Sequence, residues 1–188
     1  MNRVHGLICS SGWWARSVER ELLPWGLAGV DLGEEVLEIG PGFGATTGVL
    51  ARRPGSLTVL ELSESYCEHL RAKLDKNVEI VQADATAMPF EDDRFSAVVC
   101  FTMLHHVPSP QLQNRLLAEA ARVLRPGGVL AGTDSIGTSR AFKLLHVRDT
   151  LVPVAPDVLH ARLEGAGLVE PQVTRGGSSF RFSARKPT

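Results

Sequence analysis

The chain has 188 residues, 44% apolar and 22% charged, with a formal net charge of −1. That composition excludes a disordered or collagen-like chain, and the near-neutral balance gives no global pull toward nucleic acid or an anionic membrane. No apolar run nears the ~18 residues of a spanning helix, and the stretch after Met1 is too short for a signal peptide. Cys9, Cys67 and Cys100 are odd in number and lack CxxC spacing, so neither a disulfide framework nor a metal site is expected. A reducing, cytoplasmic setting fits.

Residues 11–24 predict a helix, with Trp14, Val18, Leu22 and Trp25 at helical spacing and Pro24 closing it. Trp13 and Trp14 stand about 100° apart on that helix, so if Trp14 packs inward, Trp13 is left to cover a ligand. Residues 1–30 form an N-terminal helical segment and possible lid, and residues 31–188 the main domain. Val36 to Ile39 is a first buried strand, followed by a glycine turn and a helix over 45–53. Leu57 to Leu62 is a second strand. Ser65 and Glu68 read as a capping box for the helix that follows. Val78 to Ala83 is a third strand, and Phe95 to Cys100 a fourth, apolar throughout and so central.

Ser109 and Pro110 predict the cap and first position of a helix running to Leu124. Pro126-Gly127-Gly128 stops it, and Val129 to Thr133 is a fifth strand. A helical stretch near 139–146 and a helix over 156–166 follow. Strands near 168–174 and 178–186 are joined through Gly176-Gly177, so short a connection that they must be antiparallel. Alternating strands and helices of this kind specify an α/β fold with a mostly parallel sheet.

The strongest local signal is Glu38-Ile39-Gly40-Pro41-Gly42-Phe43-Gly44, a strand running into a glycine turn and then a helix. Missing Cβ atoms let the turn close and let a ligand touch backbone. Gly40, Gly42 and Ala45 also satisfy the dinucleotide fingerprint, so the loop alone leaves NAD and S-adenosylmethionine open. Glu61 ends the second strand, where a carboxylate can accept from both ribose hydroxyls. At an open strand end it should be poorly buried. Asp84-Ala85 ends the third strand, placed to accept from an adenine amino group.

Together with Met88-Pro89-Phe90, Leu104-His105-His106-Val107 and Leu124-Arg125-Pro126-Gly127-Gly128, this ordered set resembles the class I S-adenosylmethionine-dependent methyltransferase family. Within it the chain is similar to the ubiquinone and menaquinone biosynthesis branch. The resemblance implies a Rossmann-like, doubly wound sheet of seven strands, mostly parallel, with its last strand antiparallel. It implies that Gly40, Gly42 and Gly44 line the methionine and ribose, and that Glu38 orients the methionine amino group through water. Glu61 with Leu62 beside it would hold the ribose, Asp84 and Ala85 the adenine, and Phe101 and Thr102 would stand near the sulfonium. No Asp/Asn-Pro-Pro-aromatic motif follows the fourth strand, and no carboxylate stands there for a magnesium site. A small or lipid-like acceptor is expected, with no nucleic acid, no membrane insertion, and an oligomeric state the sequence does not reveal.

His106 is the candidate general base, since histidine titrates near neutrality. Adjacent residues on a turn should point different ways, so only one of His105 and His106 is expected to face the site. His5, His69, His146 and His160 lack partners in sequence and read as surface residues. Two other readings stay open: a non-catalytic S-adenosylmethionine-binding protein, and a short NAD(P)-dependent oxidoreductase. The latter lacks a Tyr-x-x-x-Lys pair, since Tyr66 is the only tyrosine.

Overall fold

The computed structural model describes residues 3–137, 142, 144, 146–147 and 149–188, with side chains from residue 6 onward. Five of the apolar runs become parallel strands: β1 (Glu35–Ile39), β2 (Ser56–Glu61), β3 (Val78–Gln82), β4 (Phe95–Phe101) and β5 (Leu124–Ser135). A hairpin of β6 (Val169–Gly176) and β7 (Ser179–Arg185) completes one sheet in the order β3-β2-β1-β4-β5-β7-β6. β7 pairs antiparallel with both β5 and β6, so it alone runs against the other six.

Both faces of the sheet are covered. On one side Leu37, Ile39, Val98 and Leu130 pack beneath α6 (Pro110–Val123) and α7 (Pro156–Gly165), with Leu116, Leu117, Leu159 and Leu163. On the other, Val36, Val59, Val99 and Phe101 pack with Val18, Leu23, Leu50 and Leu70. All seven residues of β4 are buried, which is why it reads as a continuous apolar run. The strand order turns back between β1 and β4. In doubly wound sheets a ligand crevice opens at such a point, beyond the carboxyl ends of the strands.

α6 begins as its sequence predicts. Pro110 stands in its first turn, and Ser109 Oγ accepts from Leu112 N–H at 3.2 Å. Its end differs from expectation, because the chain turns extended at Leu124 and joins β5 at once. The ladder pairs Phe95 with Leu124 and then Ala97 with Val129, so Pro126-Gly127-Gly128 forms an irregularity within the strand.

The N-terminal helix differs too. Instead of one helix closed by Pro24, α1 (Arg3–Cys9) precedes α2 (Gly12–Ser17), a π-turn over Val18–Leu22 and α3 (Leu23–Gly26). Pro24 has no N–H to give an α-helical ladder. The widened turn, in which Leu23 N–H reaches back to Val18 O, carries the helix past it. Val18 and Leu23 are buried, and Arg181 donates to the Trp25 carbonyl at 2.8 Å, so residues 12–26 pack on the sheet. The helix after β2, α5 (Glu64–Lys73), starts after Ser63, whose side chain makes no cap hydrogen bond, and Ser65 lies inside it. The helix expected over 45–53 shortens to α4 (Thr47–Leu50). The stretch expected over 139–146 falls mostly outside the described residues. No helix among those described is long and apolar enough to cross a membrane.

Candidate functional site

β1 delivers Glu38 and the glycine turn to the crevice. Gly40 N–H donates to Leu60 O at 2.8 Å, tying the start of the turn to β2. Gly40, Gly42 and Gly44 all have positive φ, at 64°, 54° and 74°, a region that favours glycine. Their surroundings separate them. A Cβ on Gly40 would stand 2.9 Å from Met103 Cε, and one on Gly44 would stand 2.5 Å from Leu70 Cδ2. A Cβ on Gly42 would meet no atom within 4 Å. Side chains thus crowd two of the glycines, and of the three only Gly42 turns its missing side chain toward open space. Phe43 points away from the turn, its ring 5.1 Å from Tyr66 and 5.6 Å from His69, with Gly6 of α1 beside it.

Three carboxylates line this end. Glu38 is 1% exposed and accepts from the Thr46 hydroxyl, but among the described residues its Oε2 has no hydrogen-bond partner. Burial pushes its carboxyl up to about 7, partly offset by the hydrogen bond from Thr46, while the Glu61 charge adds to the rise. A cationic group would satisfy that orphaned oxygen. Glu61 is buried, at 8% exposed, contrary to the expectation for an open strand end. The glycine turn folds over it: Gly42 N–H donates to Oε2 at 3.2 Å and Ser63 N–H to Oε1 at 2.9 Å. Each oxygen keeps a lone pair for a further donor. Leu62 beside it is 68% exposed. Asp84 is exposed and accepts from Thr86 N–H at 2.8 Å, and Ala85 is half-buried against the core. The loop from Asp84 to Phe90 is held by α6, through Met88 N–H to Glu119 and Arg122 to the Met88 and Phe90 carbonyls.

The opposite wall is built where β4 ends. Thr102 adopts φ 51°, and its N–H donates to Thr133 O at 2.8 Å, so the chain turns sharply. Phe101 does not leave its ring for a ligand; at 6% exposed it packs in the core against Gly26. A 3₁₀ turn follows over Leu104–His106. Gln113, 1% exposed, donates to the Leu104 carbonyl at 3.1 Å and to Val152 O at 2.9 Å. Val152 N–H in turn donates to His105 O at 2.8 Å, clipping the two segments together.

On this turn the histidine expectations change. His105, 2% exposed, is paired through Nδ1 with the fully buried Asp134, which also accepts His105 N–H at 3.0 Å. His106 is half-buried, and its Nδ1 donates to Thr150 O at 3.1 Å. The rings do not diverge: their centroids are 4.2 Å apart. His146 is no surface residue. It is 3% exposed, with Nε2 at 3.2 Å from His105 Nε2. His69 and His160 are exposed as expected, and the side chain of His5 lies outside the described residues. Sequence reasoning missed His146, Asp134 and Gln113; an acid closing the apolar run of β5 was the one available signal.

Residues 36–128 match the family model described as a methyltransferase domain. The chain is 39% identical over 98 residues to demethylmenaquinone methyltransferase of Clavibacter sepedonicus, covering 51% of this chain and 39% of that protein. It is 39% identical over 106 residues to fatty-acid O-methyltransferase of Mycolicibacterium smegmatis, covering 55% and 38%. The chain therefore spans about two fifths of the length of these curated relatives. In fold it is similar to a Pyrococcus horikoshii protein, with TM-score 0.79, 17% identity and coverage of 95% and 93%. It is also similar to an S-adenosylmethionine-dependent methyltransferase of Thermotoga maritima, described as a possible histamine N-methyltransferase, with TM-score 0.71, 20% identity and 86% coverage of each chain.

Proposed function

Because this chain belongs to the class I S-adenosylmethionine-dependent methyltransferase family, we propose that it transfers a methyl group from that cofactor to a small or lipid-like acceptor. The observation that carries the proposal is the buried, half-satisfied Glu38 carboxylate behind a glycine turn whose Gly42 faces open space. An ammonium group at Glu38 Oε2 would hold the carboxylate ionised and remove the cost of its burial. An NAD reading leaves that oxygen without a cationic partner.

The sulfonium of the bound cofactor supplies an already activated methyl group. The chain's work is then to bind, align and exclude water, holding the reacting atoms about 3–3.5 Å apart. In this reading Glu38 orients the amino group and Gly40, Gly42 and Gly44 shape the turn. Glu61 accepts the ribose hydroxyls, Leu62 offers an apolar surface beside them, and Asp84 with Ala85 meets the adenine. The backbone at Phe101 and Thr102 bounds the reacting centre, and His106 faces the acceptor. In the same reading α1, whose Gly6 lies beside Phe43, acts as the lid, with Trp13 exposed at 64% after it in sequence.

The names of the relatives, acting on a demethylated quinone and on a fatty acid, favour an acceptor of lipid character. Calorimetry tests the cofactor: S-adenosylhomocysteine should bind, and NAD and NADP should give no heat. The opposite result overturns the methyltransferase reading. An acceptor screen with quinols and fatty acids, read by mass gain of one methyl group, tests the rest.

A further inference from the structure

The turn after β4 holds a constellation that binding S-adenosylmethionine does not require. His105, His106 and His146 each offer one ligand atom, and these atoms lie within 4.8 Å of one another. Ring centroids are 5.1 Å apart for His105 and His146, and 5.3 Å for His106 and His146. Two of the three rings are almost completely buried.

The hydrogen bonds at Nδ1 fix where the ring protons are. His146 Nδ1 meets Phe142 O at 2.8 Å, and His106 Nδ1 meets Thr150 O at 3.1 Å. A carbonyl oxygen only accepts, so both nitrogens carry hydrogen. His105 Nδ1 meets Asp134, whose carboxylate already takes the N–H groups of His105 and Ser135, so it takes the ring proton as well. In the neutral rings the Nε2 atoms are then lone-pair donors. Yet Nε2 of His105 and Nε2 of His146 face each other at 3.2 Å, both rings buried. Two lone pairs so placed repel unless something positive lies between them, either a proton or a metal ion.

Three features favour the metal. Two nitrogens bound to one tetrahedral zinc at 2.0–2.1 Å stand about 3.3 Å apart, close to the separation seen. A third imidazole is at hand, its ligand atom within 4.8 Å of the other two. Each Nδ1 is already turned by a carboxylate or a backbone carbonyl, the partners that orient metal-bound histidines and set their tautomer. A single bridging proton would explain the one close pair but not the third ring.

We propose that His105, His106 and His146 bind a divalent cation of the zinc class, with Asp134 orienting His105. Imidazole sets of this kind suit borderline cations rather than calcium or magnesium. Three protein ligands leave a coordination position for water or an acceptor oxygen, as catalytic zinc sites do. The site lies on the acceptor side of the crevice, one turn from Met103, which touches Gly40. His106 would then act on the acceptor through the cation rather than as a free base. The assignment stands on its own residues, and the methyl-transfer reading could fail and leave it intact.

The test uses the full chain, stripped with a chelator and titrated with Co(II), whose visible d–d bands report coordination by nitrogen. Wild type should bind about one equivalent with visible bands, and Zn(II) should erase them. His106→Gln and His146→Gln should each lose the bands, while Asp134→Asn keeps them with Kd raised roughly 10- to 100-fold. His106 is half-buried, so its variant, checked for folding by circular dichroism, decides the matter even if a substitution at buried His146 unfolds the chain. Its melting temperature should also stop responding to Zn(II), which should raise that of wild type. No Co(II) bands in wild type, or bands that persist in a folded His106→Gln, would overturn the site.

Discussion

Replacing Glu61 by alanine separates two jobs that the structure gives one carboxylate. In the absence of ligand, Glu61 accepts from Gly42 N–H and Ser63 N–H, and it is 8% exposed. Removing it leaves both donors without their acceptor, at a cost of about 1–3 kcal/mol. At about 2–4 °C per kcal/mol for a domain this size, the melting temperature should fall by roughly 2–12 °C. The second effect is on binding. Hydrogen bonds from ribose hydroxyls to a charged acceptor are worth about 1.5–3 kcal/mol, so S-adenosylhomocysteine should bind roughly 10- to 150-fold more weakly. A loosened glycine turn could weaken binding by itself, so affinity alone does not prove the ribose contact. The 2′-deoxy analogue does. Calorimetry should find it weaker than the parent ligand in wild type but equal to the parent in Glu61→Ala. A variant that still discriminates at the wild-type ratio would show that another residue holds the ribose, and would refute this placement of the cofactor.

Two further outcomes follow from the same crevice. Glu38, with its folded pKa raised from 4.5 to about 7, binds more protons folded than unfolded between those values. Its contribution is therefore full below about pH 4.5 and is lost as pH rises through about 7, on the order of 3 kcal/mol at most. Melts of Glu38→Gln should lack that slope, and wild-type affinity for S-adenosylhomocysteine should tighten as pH rises from 6 to 8; a pH-independent affinity would remove Glu38 from the ammonium site. Among the glycines, Gly42→Ala should fold, at a cost of about 1–2 kcal/mol for its left-handed backbone, and lose ligand affinity. Gly44→Ala, driven against Leu70, should lose more stability than Gly42→Ala, which paired thermal melts would show.

What was legible in the sequence was set by near neighbours along the chain. Ser109 and Pro110 start α6 where their chemistry requires, and the apolar run of β4 is buried on both faces. The two-glycine connection does join an antiparallel pair. The N-terminal helix departs from its sequence pattern because Pro24 stops an α-helix but not one that widens by a π-turn just before it. Which glycine faces open space was not legible, because the answer depends on Met103 and Leu70, which arrive from the turn after β4 and from α5. Glu61 does end its strand, but its burial is not legible there, because the turn that covers it belongs to another strand.

The histidine cluster marks the boundary between what pattern and what topology can reveal. His105 and Asp134 are 29 positions apart, and no motif links them. Yet β4 and β5 are adjacent and parallel, with Phe101 opposite Thr133 in the ladder. Residues just beyond that register must emerge at the same edge of the sheet, which is where Asp134 and the turn carrying His105 meet. An acid at the end of one central strand and a histidine just past its neighbour are therefore a readable pair once strand order is known. His146 is not readable that way, since it reaches the cluster from a connection no ladder fixes. Its burial against His105 rests instead on hydrogen bonds such as His146 Nδ1 to Phe142 O, which hold the ring from its far side. The pairing of His105 with Asp134 is thus a consequence of the fold, whereas the place of His146 rests on contacts that no ladder fixes.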